Sequence, residues 1–226
     1  MAGSQGIYRT PMQGMVEPSA HGTPNQFADV ALSRQGAAIV QDQLLYWAIS
    51  GRMFQAQMGD AMSKLVFVET AYDEDQPQWA LNVPAGKTVI PTSLVLTAEI
   101  QSSTGNHVVW STMDVAIGNG TSVAGTITPL RTDQPHSSGC TARSLYTGNG
   151  ATPSNLIEFV RFLDMFAAVS TGPVPRYEWN IRTAGSVPVL VGPATLQMHA
   201  IGVADFEGYG EFVWAEFDTP ALVDKA

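Results

Sequence analysis

Between Asp75 and Gln101 the chain alternates apolar and polar positions with a period of two on either side of a turn. Trp79, Leu81 and Val83 alternate with Ala80 and Asn82, Pro84-Ala85-Gly86 supplies the turn, and Leu94, Leu96, Ala98 and Ile100 resume the period. Successive side chains leave a pleated strand on opposite faces, so this pattern predicts two β-strands. A similar unit lies near the end of the sequence, where Tyr209, Glu211, Val213, Ala215 and Phe217 alternate with Gly210, Phe212, Trp214 and Glu216. Both faces of that strand carry large apolar residues, which predicts that both are covered.

Further strands are predicted over 65–69, 107–117, 176–182, 188–191 and 194–203. Residues 36–58 fit two patterns. Val40, Leu44, Leu45 and Ala48 suit a helical face, whereas Leu45, Trp47 and Ile49, then Met53 and Gln55, suit short strands; the bounding Gly36 and Gly51 favour strands. Asn155 with Glu158 three residues later resembles a capping box, and Leu156, Phe159, Val160, Leu163 and Phe166 fall on one helical face, so the one good helix is expected there. Residues 118–155 are rich in Gly, Ser, Thr and Pro over a longer span than a structureless loop usually has, which predicts short irregular strands or a protruding functional loop. Turn signals recur at the spacing of a sandwich. The expected fold is therefore all-β, mainly antiparallel: a jelly-roll-like β-sandwich over 36–226, preceded by an extended N-terminal arm over 1–35.

Composition sharpens the picture of the surface. Of 226 residues, 45% are hydrophobic and only 14% charged, against about 25% charged in an average chain. A surface so poor in charge is expected to be covered in part by other subunits. The arm, interrupted by Gly3, Gly6, Pro11, Gly14, Pro18, Gly22 and Pro24, carries only Arg9, Glu17, Asp29 and Arg34 as charges. A solvated tail usually carries more. Its scattered apolar residues Ile7, Tyr8, Met12, Met15, Val16 and Phe27 are candidate anchors on a neighbouring molecule. The net charge of −9 and the lack of any basic run argue against a nucleic-acid partner. No segment approaches the length of a membrane span, and residues 1–23 show no secretory signal pattern, so no membrane partner and synthesis in the cytoplasm are expected. Cys140 is the single cysteine and cannot form an intramolecular disulfide.

Catalytic constellations are not signalled. His21, His107, His136 and His199 lack metal-ligand spacing; Asp73-Glu74-Asp75 lacks the glycine and the distal glutamate of a calcium loop. No cofactor or metal is expected. Glu99, Glu211 and Glu216 could supply a glycosidase pair only if two of them faced one cleft, and Ser137-Ser138-Gly139-Cys140 offers nucleophiles without a positioned base. Trp47, Trp79, Trp110, Trp179 and Trp214 lie in or beside apolar β runs, where core packing is expected before sugar stacking. The expectation is a protein that is not an enzyme.

The Gly/Pro/Gln-rich arm, the phrase Val83-Pro84-Ala85-Gly86-Lys87-Thr88-Val89-Ile90-Pro91 leading into a long alternating strand, the Ser/Thr/Gly loop and the ending Gly210-Glu211-Phe212-Val213-Trp214-Ala215-Glu216 together resemble virion structural proteins of tailed bacteriophages. The similarity is greatest to jelly-roll capsid cement, or decoration, proteins. It implies a bacteriophage capsid decoration protein on the outer head surface, with the major capsid protein and its own copies, as a homotrimer, for partners. An arm with two basic and two acidic residues departs from genome-binding jelly rolls and points to the capsid exterior. The competing expectation is a receptor-binding or adsorption module of a head fibre or tail, binding glycan or host surface through the 118–155 loop.

Overall fold

The computed structural model describes residues 13–15, 27–29, 42–60, 62–67, 72–73, 76–99, 106–118, 120–133, 135–147, 155–164, 175–201 and 206–219. The elements are β1 (Gln13–Met15), β2 (Phe27–Asp29), α1 (Gln43–Ile49), β3 (Met53–Met58), β4 (Leu65–Phe67), β5 (Trp79–Val83), β6 (Lys87–Glu99), β7 (Asn106–Met113), β8 (Thr121–Ala124), β9 (Ile127–Pro129), β10 (Thr141–Thr147), β11 (Ile157–Asp164), β12 (Arg176–Asn180), β13 (Leu190–Val191), β14 (Ala194–Ile201) and β15 (Phe206–Asp218).

All pairings are antiparallel, and two large sheets pack face to face as an all-β sandwich, as the alternation predicts. One sheet has six strands in the order β11-β7-β14-β5-β10-β8; the other has seven, in the order β12-β6-β15-β3-β9, with β13 on β6 and β4 on β15. Four pairs of strands, β6/β7, β14/β15, β3/β5 and β9/β10, each place one member in each layer, and the pairs stand side by side in the same order in both. Leu94, Leu96 and Ala98 of β6 and Phe212 and Trp214 of β15 share one cluster with Trp79, Leu81 and Val83 of β5 and Leu196 and Met198 of β14. Burying these faces removes apolar surface at roughly 25 cal/mol per Å².

The Pro84-Ala85-Gly86 turn forms as read, with Gly86 at φ 85° and the Lys87 amide donating to the Pro84 carbonyl at 3.2 Å. It does not close a hairpin within one sheet: β5 pairs with β10 and β14, whereas β6 pairs with β12, β13 and β15. The turn carries the chain from one layer to the other.

Two local expectations are corrected. Residues 157–164 form the edge strand β11 beside β7, not a helix. A register shift between Glu158 and Val160 adds one residue to the strand, bringing Glu158 and Arg161 to one side as an ion pair at 2.6 Å. That extra residue imitates helical spacing. Conversely, the helix lies in the segment read as strands. Asp42 caps it, its Oδ1 accepting from the Leu44 amide at 2.9 Å and the Leu45 amide at 3.4 Å, and these bonds, with Arg182 alongside, hold its carboxyl below the usual range. Trp47 and Ala48 lie over Met53, Ala215 and Phe217, with the Trp47 and Phe217 rings edge-on at 5.3 Å.

The described parts of 118–155 hold β8, β9 and β10, built into the two sheets, which is the short-strand alternative for that span. In the arm, β1 pairs with β2 with Met15 opposite Phe27. Ile7, Tyr8, Met12 and Val16 lie outside the described residues.

Candidate functional site

The two outer faces of the sandwich treat their polar residues in opposite ways. On the six-stranded sheet, Asn82, Ser111, Thr195, Gln197 and His199 are buried. Asn82 accepts from the Ile117 amide through Oδ1 and donates to the Ile117 carbonyl through Nδ2, both at 3.0 Å. The Thr195 hydroxyl sits 2.7 Å from the Val115 carbonyl, and Ser111 donates to Gln197 Oε1 at 3.2 Å. His199 packs against the Tyr72 ring with centroids 4.7 Å apart. Here Asn82, Ser111, Thr195 and Gln197 are hydrogen-bonded, and Asn82 and Thr195 fasten the 115–117 segment over the sheet.

The outer face of the seven-stranded sheet is divided. At one end α1 covers Met53, Ala215 and Phe217. Beyond the helix no other described residue covers the face, and strand register sets its side chains in two rows. One row is Gln57, Glu211, Val95 and Glu178 on β3, β15, β6 and β12; the other is Tyr209, Thr97 and Arg176 on β15, β6 and β12. Neighbouring strands stand about 4.8 Å apart and successive rows about 7 Å apart, which fixes the spacing of these groups to that of a rigid lattice. A depression of about 310 Å³ lies on this lattice, and a second of about 350 Å³, reaching β8 and β9, shares Gln57 and Gly59 with it. Together they make one shallow groove. Gly210 fits beneath because a Cβ there would stand 2.6 Å from the Phe212 ring.

Among the described residues, the side chains of Gln55, Gln57, Thr97, Tyr209 and Glu211 make no hydrogen bond or ion pair. Arg176 leans on Glu178 at 3.4 Å, both well exposed. The groove therefore presents amide, hydroxyl and carboxylate groups around a floor formed by β15 and β6, which are paired on both sides.

The candidate acids separate. Glu211 faces outward into the groove, whereas Glu216, five residues on along an unbroken alternation, is buried on the opposite face. Glu216 Oε1 accepts from the Gly139 amide at 2.9 Å, its Oε2 accepts from Ser138 Oγ at 2.5 Å, and Lys87 Nζ stands 3.3 Å away. These two residues cannot act on one substrate. The side chain of Glu99 lies outside the described residues. Ser138 is committed to Glu216, and burial, reinforced by the Glu216 charge, pushes the Cys140 thiol far above its ordinary value, so neither is an activated nucleophile.

Among the described residues no group of three or more His, Cys, Asp and Glu is placed to hold a metal, and no helix is long and apolar enough to cross a membrane. Asp73 accepts from Gln76 Nε2 at 2.8 Å. Trp79, Trp110, Trp179 and Trp214 are buried and Trp47 packs from α1 onto Phe217, so none forms a solvent-facing platform. The groove residues Gln57, Thr97, Arg176 and Tyr209 are the ones the sequence did not single out; their outward positions on alternating strands were the signal. The chain matches no family model, no curated protein and no solved structure.

Proposed function

We propose that this chain is a non-enzymatic virion structural protein, a capsid cement or decoration protein that binds the outer head surface through its arm and subunit contacts, its sandwich closing in jelly-roll fashion. The observation that supports this reading is the placement of large apolar side chains on the outside of a charge-poor chain. On α1, Leu45 and Ile49 are each 54% exposed while the opposite side of the helix is packed, and on the edge strand β11 Ile157 is 61% exposed. Monomers seldom leave such residues in company, and covering them adds apolar burial to a capsid contact. The partners in this reading are the major capsid protein and further copies of the chain, assembled as a trimer on the virion surface.

The test is co-sedimentation of purified protein with undecorated phage heads, alongside its mass by light scattering. A trimer that sediments with heads, and that loses binding on removal of residues 1–35 or in Leu45→Ser/Ile49→Ser, supports the reading. Failure to bind heads, or full binding by both altered proteins, overturns it.

A second reading is an adsorption module of a head fibre or tail. It is favoured by the open groove on the seven-stranded sheet, where uncommitted polar side chains face solvent, rather than by the 118–155 span. Saturable binding to host cells by the isolated protein would support it, and its absence would remove it.

A further inference from the structure

We propose that the groove over β3, β15, β6 and β12 is a binding site for a neutral polysaccharide chain. The inference rests on the second reading only for its biological setting; the site itself is argued from the groove. Three properties select the ligand. The first is shape: two depressions of about 310 and 350 Å³ joined at Gln57 and Gly59 form an open track, suited to a linear polymer and not to a small molecule that must be enclosed. The second is the set of uncommitted groups. Sugar hydroxyls both donate and accept, and the Gln57 amide, the Glu211 carboxylate and the Thr97 and Tyr209 hydroxyls offer acceptors and donors at lattice spacing. The Tyr209 ring and Val95 offer apolar surface for the C–H face of a pyranose ring.

The third property is charge. Asp60, Glu178 and Glu211 border the groove with Arg176 as the single cation among them. This excess of carboxylate opposes nucleic acids, phosphates and uronic-acid polymers. An extended peptide is disfavoured for a different reason. Strand addition needs a free sheet edge, and here the free edges lie at the margins, on β12 and on β3 at Gln57–Met58, whereas the floor strands β6 and β15 are paired on both sides. On that floor recognition comes from side chains, as it would for a sugar.

The experiment is native electrophoresis of the full chain through gels cast with dextran, galactomannan, xyloglucan or mixed-linkage glucan, with polygalacturonate as the anionic control. The wild type is expected to be retarded by at least one neutral polymer and not by polygalacturonate. Tyr209→Ala/Glu211→Ala and, separately, Gln57→Ala should weaken that retardation at least tenfold in apparent dissociation constant while leaving the near-UV spectrum unchanged. Passage unretarded through every neutral gel overturns the proposal, as does retardation that survives both sets of substitutions. Cell adsorption that persists in the groove variants overturns the groove and leaves the adsorption reading standing. Groove-dependent retardation without cell adsorption does the reverse.

Discussion

Phe212 stacks on Trp79 across the sandwich, with ring centroids 4.0 Å apart and planes 30° from parallel, one ring from each sheet. Trp110 meets Phe212 edge-on at 5.3 Å, so a single side chain of β15 joins two strands of the opposite layer. Its ring also occupies the space that a side chain at position 210 would need. Phe212→Ala is expected to lower stability by about 3–5 kcal/mol, the range for a fully buried aromatic. Urea denaturation followed by tryptophan fluorescence measures it. A loss below 1 kcal/mol would mean that the two sheets do not depend on this contact.

Glu216 holds a loop to the sandwich at the opposite end of the same strand. It takes the Gly139 amide and Ser138 hydroxyl on separate oxygens and faces Lys87, which also reaches Asp218 at 2.8 Å. Glu216→Ala is expected to cost about 1–3 kcal/mol, because two part-buried hydrogen bonds lose their charged acceptor. Glu216→Gln keeps an acceptor for the Gly139 amide and should cost less. Since Cys140 follows directly and is 5% exposed, its reaction with a disulfide reagent under native conditions should quicken in Glu216→Ala. Unchanged thiol reactivity would show that the loop stays closed without the carboxylate.

These packed regions differ in how far the sequence disclosed them. Trp79, Leu81 and Val83, and Leu94, Leu96 and Ala98, announced inward faces by plain alternation, and all six are buried in one cluster. Residues 157–164 misled because the shift between Glu158 and Val160 breaks the period of two, so Ile157 and Val160 share one side and Glu158 and Arg161 the other, each at the i, i+3 spacing of a helix. The helix at Gln43–Ile49 has a legible start in Asp42. Its seven residues are too short to show a full amphipathic period, and the bounding glycines competed with the cap. The groove was hidden for a physical reason of another kind. Gln57, Thr97, Arg176 and Tyr209 are far apart in sequence, and only antiparallel register across β3, β15, β6 and β12 assembles them. Glu211 and Glu216, by contrast, were legible: β15 keeps its period of two, because the extra residue at the shift is Thr92 of β6, and odd and even positions fall on opposite faces.

Cys140 makes stability depend on alkaline pH. Burial first, and the neighbouring Glu216 charge second, raise its thiol above the ordinary value of 9.0. A raised value means that the unfolded chain ionises first. The contribution is therefore complete below about pH 9 and is lost as the pH rises beyond it, by about 1 kcal/mol between pH 9 and pH 10 for one thiol. Cys140→Ala should flatten the fall in urea midpoint over that interval. Equal slopes in the two proteins would show that the thiol ionises as readily folded as unfolded.

Asn82 provides the sharpest test of the buried polar layer, because its amide must donate and accept at once. Nδ2 gives a hydrogen bond to the Ile117 carbonyl and Oδ1 takes one from the Ile117 amide. Asn82→Asp has nearly the same shape but, when ionised, sets a carboxylate oxygen against that carbonyl in a buried site. Burial and the lost donor both raise the new carboxyl's folded value above its unfolded one. Its stability is then retained below the unfolded carboxyl range and lost as the pH rises through the higher folded value. Asn82→Asp should accordingly approach the wild type near pH 4 and fall about 1–3 kcal/mol short of it at pH 7, with faster proteolysis within 114–120. Asn82→Ala, which cannot titrate, should show the deficit at both pH values. If Asn82→Asp matches the wild type at pH 7, the 115–117 segment is not fastened by this amide.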